Sequence, residues 1–214
     1  MASSIGILGG TFNPPHVGHL ALARQARDEL GLERVVLMPV HAPHKPLSAD
    51  PGPEHRLAMC RLASRDEPGM SACGLEVGRG GPSYTADTLA EIHASHPQAE
   101  LTFIVGADTA RTLSSWHEPA TVMRLARLAI AEREGAEREQ VLKALASIEH
   151  GRERAENAAS APHFLAMSPI EASSSLIRRR VAEGVGIEDL VGRAVAGYIA
   201  EHGLYEIEEE EEGS

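Results

Sequence analysis

A short run near the amino terminus, Gly9-Gly10-Thr11-Phe12-Asn13-Pro14-Pro15-His16-Val17-Gly18-His19, joins two adjacent glycines to two histidines three residues apart. Glycines remove side chains, so an anion can approach backbone N–H groups. A helix start adds free N–H donors and a partial positive charge. Histidines three apart project from one face of a first helical turn. Their imidazoles donate hydrogen bonds to phosphate oxygens, and protonation beside negative charge strengthens those bonds. The run reads as a phosphate site. Two plainer readings stand beside it: a glycine turn that only changes chain direction, and a pair of metal ligands. A metal would need further ligands, and no Asp, Glu or Cys is offered nearby at metal spacing. A Gly-Lys-Ser/Thr sequence is absent, so the P-loop is not the source of the phosphate chemistry.

A second candidate lies near the other end of the chain. Ser173-Ser174-Ser175-Leu176-Ile177-Arg178 sets hydroxyls at a helix start, with Arg178 one turn after Ser174. Hydroxyls, free backbone donors and a guanidinium make an anion cradle. A capped helix with a solvated basic face is the alternative. Three further positions invite ligand readings. Trp116 is the sole tryptophan and follows a Ser-Ser pair in a loop. Its ring either stacks on an aromatic ligand or anchors the loop in the core. Asp108 follows an apolar strand, where a carboxylate accepts from ribose hydroxyls or caps a helix. Tyr84 and Thr85 open a helix whose N–H groups would receive a carboxylate, with Thr85 as a plain N-cap equally compatible.

The elements that must hold these residues alternate. Apolar runs at Ser4–Leu8, Arg34–Pro39, Leu101–Gly106, Arg127–Ala131 and His163–Met167 predict strands, with a weaker one at Ser71–Val77. Apolar residues at helical spacing predict helices over Gly18–Leu30, Glu54–Ser64, Thr85–Ser95 and Glu137–Ile148, with closing helices over Ser174–Glu183 and Gly192–His202. Ala155–Ala161 reads as a surface loop. Strands that are apolar throughout, separated by helices, predict an α/β fold: a Rossmann-like, doubly wound parallel sheet with helices on both faces. The last helices predict a small C-terminal helical sub-lobe. No internal domain boundary is visible. Residues 1–205 are expected to form one domain and 206–214 an acidic, solvated tail.

Composition excludes several classes. The formal net charge is −11, against a general nucleic-acid binder. No run of about 18 apolar residues exists to cross a membrane. Met1–Ile5 carries no basic stretch, so no cleaved export signal is expected. Two cysteines, Cys60 and Cys73, do not make a disulfide framework, which favours the cytoplasm. Homo-oligomerisation is left open.

The first run resembles the GxFxPxHxGH signature of the HxGH nucleotidyltransferase superfamily, and Ser173–Arg178 resembles its second, Ser/Thr-rich signature. Within that superfamily, Pro43-His44-Lys45-Pro46, Pro82-Ser83-Tyr84-Thr85-Ala86-Asp87-Thr88-Leu89 and Ile104-Val105-Gly106-Ala107-Asp108 with Trp116 resemble segments of the nicotinate-mononucleotide adenylyltransferase family. The resemblance covers most of residues 5–205. Asn13 departs from a common Asp, Glu132-Arg133-Glu134-Gly135 from a more basic segment, and Ala172 from a common Ile.

The resemblance implies transfer of AMP from ATP to nicotinate mononucleotide. Gly9, Gly10, Thr11, Phe12, His16, His19, Ser174, Ser175 and Arg178 would bind ATP. Lys45, Tyr84, Thr85, Asp108 and Trp116 would bind the acceptor, with His16, His19, Lys45 and Arg178 nearest the chemistry. Mg2+ would be held mainly by the ATP phosphates, with no protein metal ligand. A superfamily relative with another acceptor, such as phosphopantetheine, or a nucleotide-binding module without turnover, are the alternatives.

Overall fold

A computed structural model describes residues 3–43, 49–132, 138–148 and 161–206. Strand β1 (Ser4–Gly10) leads into α1 (Val17–Leu30), β2 (Arg34–Pro39), α2 (Pro53–Ser64) and β3 (Met70–Ala72). Helices α3 (Leu75–Arg79) and α4 (Thr85–Ser95) follow, then β4 (Glu100–Gly106) and α5 (Ala107–Ala110). After a 3-10 turn at Leu113–Ser115 come α6 (Pro119–Leu125), β5 (Ala126–Glu132), α7 (Arg138–Ala146) and β6 (His163–Ala166). Helices α8 (Ser174–Ala182), α9 (Glu188–Val191) and α10 (Arg193–Glu201) close the described chain.

The strands form one sheet in the order β3-β2-β1-β4-β5-β6, and every pairing is parallel. The chain winds outward from β1 in one direction and from β4 in the other, which is the doubly wound arrangement. Both faces are covered. Ile5 and Ile7 of β1 and Leu101, Phe103 and Val105 of β4 meet Leu89 of α4 and Val141 of α7 on one side. Leu8 and Ile104 meet Leu20, Ala23 and Ala26 of α1 on the other. Two-sided burial explains why the strands read as continuous apolar runs. A third cluster holds the C-terminal helices. Ile177, Leu190, Val191, Val195 and Ile199 pack with Met59 of α2. This is the helical sub-lobe, fixed by α2 beside the sheet.

Several expectations need correction. The strand read over Ser71–Val77 is only Met70–Ala72, and Leu75–Arg79 is helical. The strand ends at Ala72, and at Gly74, the N-cap of α3, the chain passes so close to α2 that a Cβ would stand 2.7 Å from a Leu57 methyl carbon. Tyr84, not Thr85, is the N-cap of α4, and Thr85 is the first helical residue. Helices α5, α6 and α9 were not legible, since four to seven residues make too few turns for a period. The helix read over Glu137–Ile148 is observed from Arg138 to Ala146, and Glu137 lies outside the described residues. So do residues 155–160 of the expected loop and 207–214 of the expected tail. Among the described residues no helix is long and apolar enough to cross a membrane.

Candidate active site

Neighbouring β1 and β4 continue in opposite directions across the sheet, so a crevice opens at their carboxyl ends. Gly9-Gly10 close β1 at that crevice and Gly106 closes β4. A Cβ on Gly10 would meet the Phe12 ring at 3.2 Å. Phe12 itself is buried in the core, so only its backbone can face a ligand. Its φ of 50° is a left-handed conformation that turns the chain between sheet and helix. The Asn13–Pro14 peptide is cis.

His16 is the N-cap of α1, and His19 stands one turn on. Their ring centroids are 3.7 Å apart. A Cβ at Gly18 would stand 3.1 Å from the His16 ring and press on it. The His16 backbone N–H donates to His19 Nδ1 at 3.1 Å. A nitrogen that accepts carries no proton, so neutral His19 holds its proton on Nε2. Burial lowers the pKa of His16 to about 4. Burial, and secondly the charge of His16, lower that of His19 to about 3. Both rings are therefore neutral near pH 7. The expected strengthening by protonation does not describe the ligand-free site; His19 offers an orienting Nε2–H donor instead.

The two ends of the chain meet here. Ser174 Oγ donates to the Pro14 carbonyl at 2.9 Å, across 160 residues. The Arg178 guanidinium donates to the Asn13 carbonyl at 2.7 Å, and to Ser175 Oγ at 3.3 Å. Tyr205 Oη donates to Asn13 Oδ1 at 2.8 Å. Ser173 caps α8 by accepting from Leu176 N–H at 3.2 Å. The N–H groups of Ser174 and Ser175 then remain as helix-start donors. Ser174's hydroxyl proton is committed to Pro14, which leaves its backbone N–H as the donor open to an anion. Just before this turn lies a cleft of about 410 Å3 lined by Pro169, Ile170, Glu171, Ala172, Ser173 and Leu176.

The acceptor candidates are placed differently. The Tyr84 ring packs against His117 at 4.5 Å between centroids, which brings the start of α4 beside Trp116. Trp116 Nε1–H donates to Thr112 Oγ1 at 3.0 Å, and its ring meets the edge of Phe103 at 6.1 Å. The ring is thus both anchored and partly exposed. Asp108 does not cap a helix: Gly106 is the N-cap of α5. The Asp108 carboxylate is exposed and ion-paired with Arg111 at 2.5 Å. Lys45 lies outside the described residues, as does Arg133.

Sequence reading missed Tyr205 and Arg56. Arg56 was legible in one respect: it occupies the buried stripe of α2 with Leu57, Met59 and Cys60. An arginine on an apolar helix face needs partners. Among the described residues no three His, Cys, Asp or Glu side chains converge as a metal cage.

Comparison with known proteins places this geometry. Residues 7–180 match the cytidylyltransferase-like family model. A protein of Dehalococcoides mccartyi named as a probable nicotinate-nucleotide adenylyltransferase is 39% identical over 202 residues, covering 94% of this chain and 96% of the relative. One of Thermomicrobium roseum with the same name is 39% identical over 205 residues, covering 95% and 92%. The structure of a Plasmodium falciparum nicotinic acid mononucleotide adenylyltransferase complexed with NaAD superposes with a TM-score of 0.73 at 19% identity, covering 95% and 97%. That likeness concerns the fold. The sequence matches carry the family, and by them the chain belongs to the nicotinate-nucleotide adenylyltransferase family of cytidylyltransferase-like enzymes.

Proposed function

We propose that this enzyme transfers AMP from ATP to nicotinate mononucleotide, releasing pyrophosphate and forming nicotinate adenine dinucleotide. The observation that carries the reading is the junction of Asn13-Pro14 with Ser174 and Arg178, which builds one donor-rich crevice from both ends of the chain. The family membership and the relatives' names supply the acceptor.

The acceptor's 5′-phosphate has a second pKa near about 6 and is largely a dianion at neutral pH, so attack needs no general base. An acceptor oxygen forms a bond to the α-phosphorus as the bond to the leaving pyrophosphate breaks. The protein must align the two anions and offset charge on the equatorial oxygens. His19 Nε2–H would donate to the transferring phosphate, with His16 beside it. Backbone groups of Gly9, Gly10, Thr11 and Phe12 would receive phosphate oxygens. The N–H groups of Ser174 and Ser175, with the donors of Arg178 not spent on Asn13, would hold the β- and γ-phosphates. The adenine is assigned to the cleft beside Ile170, an exposed apolar side chain suited to a flat ring. Lys45 would lie between the two substrates' phosphates. Trp116 would stack on the pyridine, Tyr84 and Thr85 at the start of α4 would receive the carboxylate, and Asp108 would accept from the ribose. The donor set is N–H and O–H groups rather than carboxylates, which suits ATP entering as a Mg2+ complex held by phosphate oxygens and water. Both cysteines are free thiols, in keeping with the cytoplasmic setting we propose.

The test is pyrophosphate release from Mg2+–ATP with nicotinate mononucleotide, its amide, or phosphopantetheine. Turnover with nicotinate mononucleotide well above the others is expected. Preference for phosphopantetheine, or ATP binding without pyrophosphate release, would overturn the reading.

A further inference from the structure

Arg56 is completely buried, and no step above uses it. Its guanidinium makes four hydrogen bonds. Nε donates to Asp50 Oδ1 at 3.0 Å, and NH1 donates to the carbonyls of Thr11 at 3.1 Å and Val40 at 2.7 Å. NH2 donates to the carbonyl of His41 at 2.9 Å. Only Asp50 is an anion, and it is partly exposed. Burying a charge is costly unless hydrogen bonds and an ion pair offset it, and here three main-chain carbonyls and Asp50 do so. All three lie just beyond the carboxyl ends of β1 and β2, at the crevice rim.

Peptide planarity gives the grip its consequence. In a trans peptide the C=O and the following N–H point in opposite directions from one rigid plane. Holding the Thr11 carbonyl therefore sets the Phe12 N–H, a donor on the nucleotide side. Holding the Val40 carbonyl sets the His41 N–H, which donates to Ser83 Oγ at 2.9 Å. His41 Nδ1–H also donates to the Gly81 carbonyl at 3.1 Å, and Ala42 bridges to Pro82. Ser83 immediately precedes Tyr84, the N-cap of α4. One continuous path thus runs from the glycine turn through Arg56 and the Val40–His41 plane to the start of α4. The Val40 N–H bond to Gly10 O at 3.1 Å ties the same two rims directly.

We propose that Arg56 is a positioning residue that couples the nucleotide turn to the acceptor side, so that each substrate tightens binding of the other. This rests on the two-substrate reading above. A lysine could not substitute, since one ammonium cannot span four acceptors that a planar fork reaches.

Calorimetric titration with the α,β-methylene analogue of ATP, with and without nicotinate mononucleotide, measures the coupling. The wild-type enzyme should bind the analogue at least about fivefold tighter when the acceptor is present, within the usual range of inter-site coupling. Arg56→Lys and Ser83→Ala should each reduce that factor below about twofold. The double variant should lose no more than either single one, because both cut one path. Should Arg56→Lys fail to fold, Ser83→Ala interrogates the path from its other end. A purely structural role would lower the melting temperature and leave the coupling factor intact. Wild-type coupling below twofold, or a folded variant that retains it, overturns the inference. Pyrophosphate release by the wild type is scored separately. Turnover without coupling sinks this inference alone, and absence of turnover sinks the functional reading.

Discussion

The side of the crevice proposed to hold the nucleotide and the side proposed to hold the acceptor are built by different means. On the nucleotide side the bonds are long-range: Ser174 to Pro14, Arg178 to Asn13, Tyr205 to Asn13 and Arg56 to Thr11. On the acceptor side the side chains of Asp108 and Trp116 are held locally, by Arg111 and Thr112, while only the backbone before α4 is tied to a distant segment, at His41. Long-range bonds form only when the whole chain has folded, so they yield a site preorganised before ligand arrives. Local bonds within one helical turn leave side chains exposed and free to adjust. Transition-state stabilisation gains from the first kind of construction and substrate choice tolerates the second. Variants that cut a nucleotide-side bond should therefore cost folding stability, whereas acceptor-side variants should move one KM with stability unchanged.

The largest test of that contrast is His19→Ala. Loss of one preorganised donor should lower kcat by at least about 10²-fold, with a smaller change in the acceptor KM. A variant with normal turnover at saturating ATP would remove His19 from the chemistry and weaken the preorganisation argument.

The nucleotide side also dictates the pH response. His16 and His19 have folded pKa values of about 4 and about 3, below the unfolded value of 6.5. As pH falls below 6.5 the unfolded chain takes up protons that the folded chain refuses, so folding stability is lost with acid. In the ligand-free enzyme both rings stay neutral from pH 8 to pH 5. The acid limb of kcat/KM for the acceptor should follow its own phosphate near pH 6, falling roughly tenfold from pH 7 to pH 5. A limb that moves in His16→Asn would assign the proton to the enzyme instead.

Acceptor-side effects should be smaller. Trp116→Ala should raise the KM for nicotinate mononucleotide by roughly three- to tenfold, the scale of one aromatic stack. The KM for ATP and the melting temperature should change little, because the ring is only partly buried. Equal effects on both KM values would show that Trp116 anchors the loop rather than reading the pyridine.

How much of this was legible follows the same division. The doubly wound sheet was, because strands buried on both faces leave continuous apolar runs such as Leu101–Val105. The glycine turn and the serine turn were visible as chemistry, but the sequence alone did not give their contact, which depends on α8 packing through Ile177 against α2. His19 was legible as a donor, not its tautomer, since a backbone N–H sets that. Tyr205 was missed because its partner Asn13 lies far away in sequence, and Arg56 because its place on the apolar stripe of α2 does not name its partners. Asp108 was read as a ribose ligand or a cap from its place after a strand, where Arg111 one turn on takes its carboxylate.

The smallest expected effect on catalysis falls on Tyr205→Phe. The hydroxyl donates to Asn13 Oδ1 at 2.8 Å, and burial pushes its pKa up. Asn13 is itself buried, so deleting the hydroxyl removes one hydrogen bond shielded from water. The cost should be about 0.5–1.5 kcal/mol, the usual net worth of one intramolecular hydrogen bond. It should appear as a lower denaturant midpoint with an unchanged slope. Arg178 still holds the Asn13 carbonyl, so the turn keeps its path and kcat should stay within about threefold of the wild type. A large fall in kcat with unchanged stability would show that Tyr205 acts on the phosphates rather than on the turn, and would dissolve the link between long-range bonding and preorganisation on this side of the crevice.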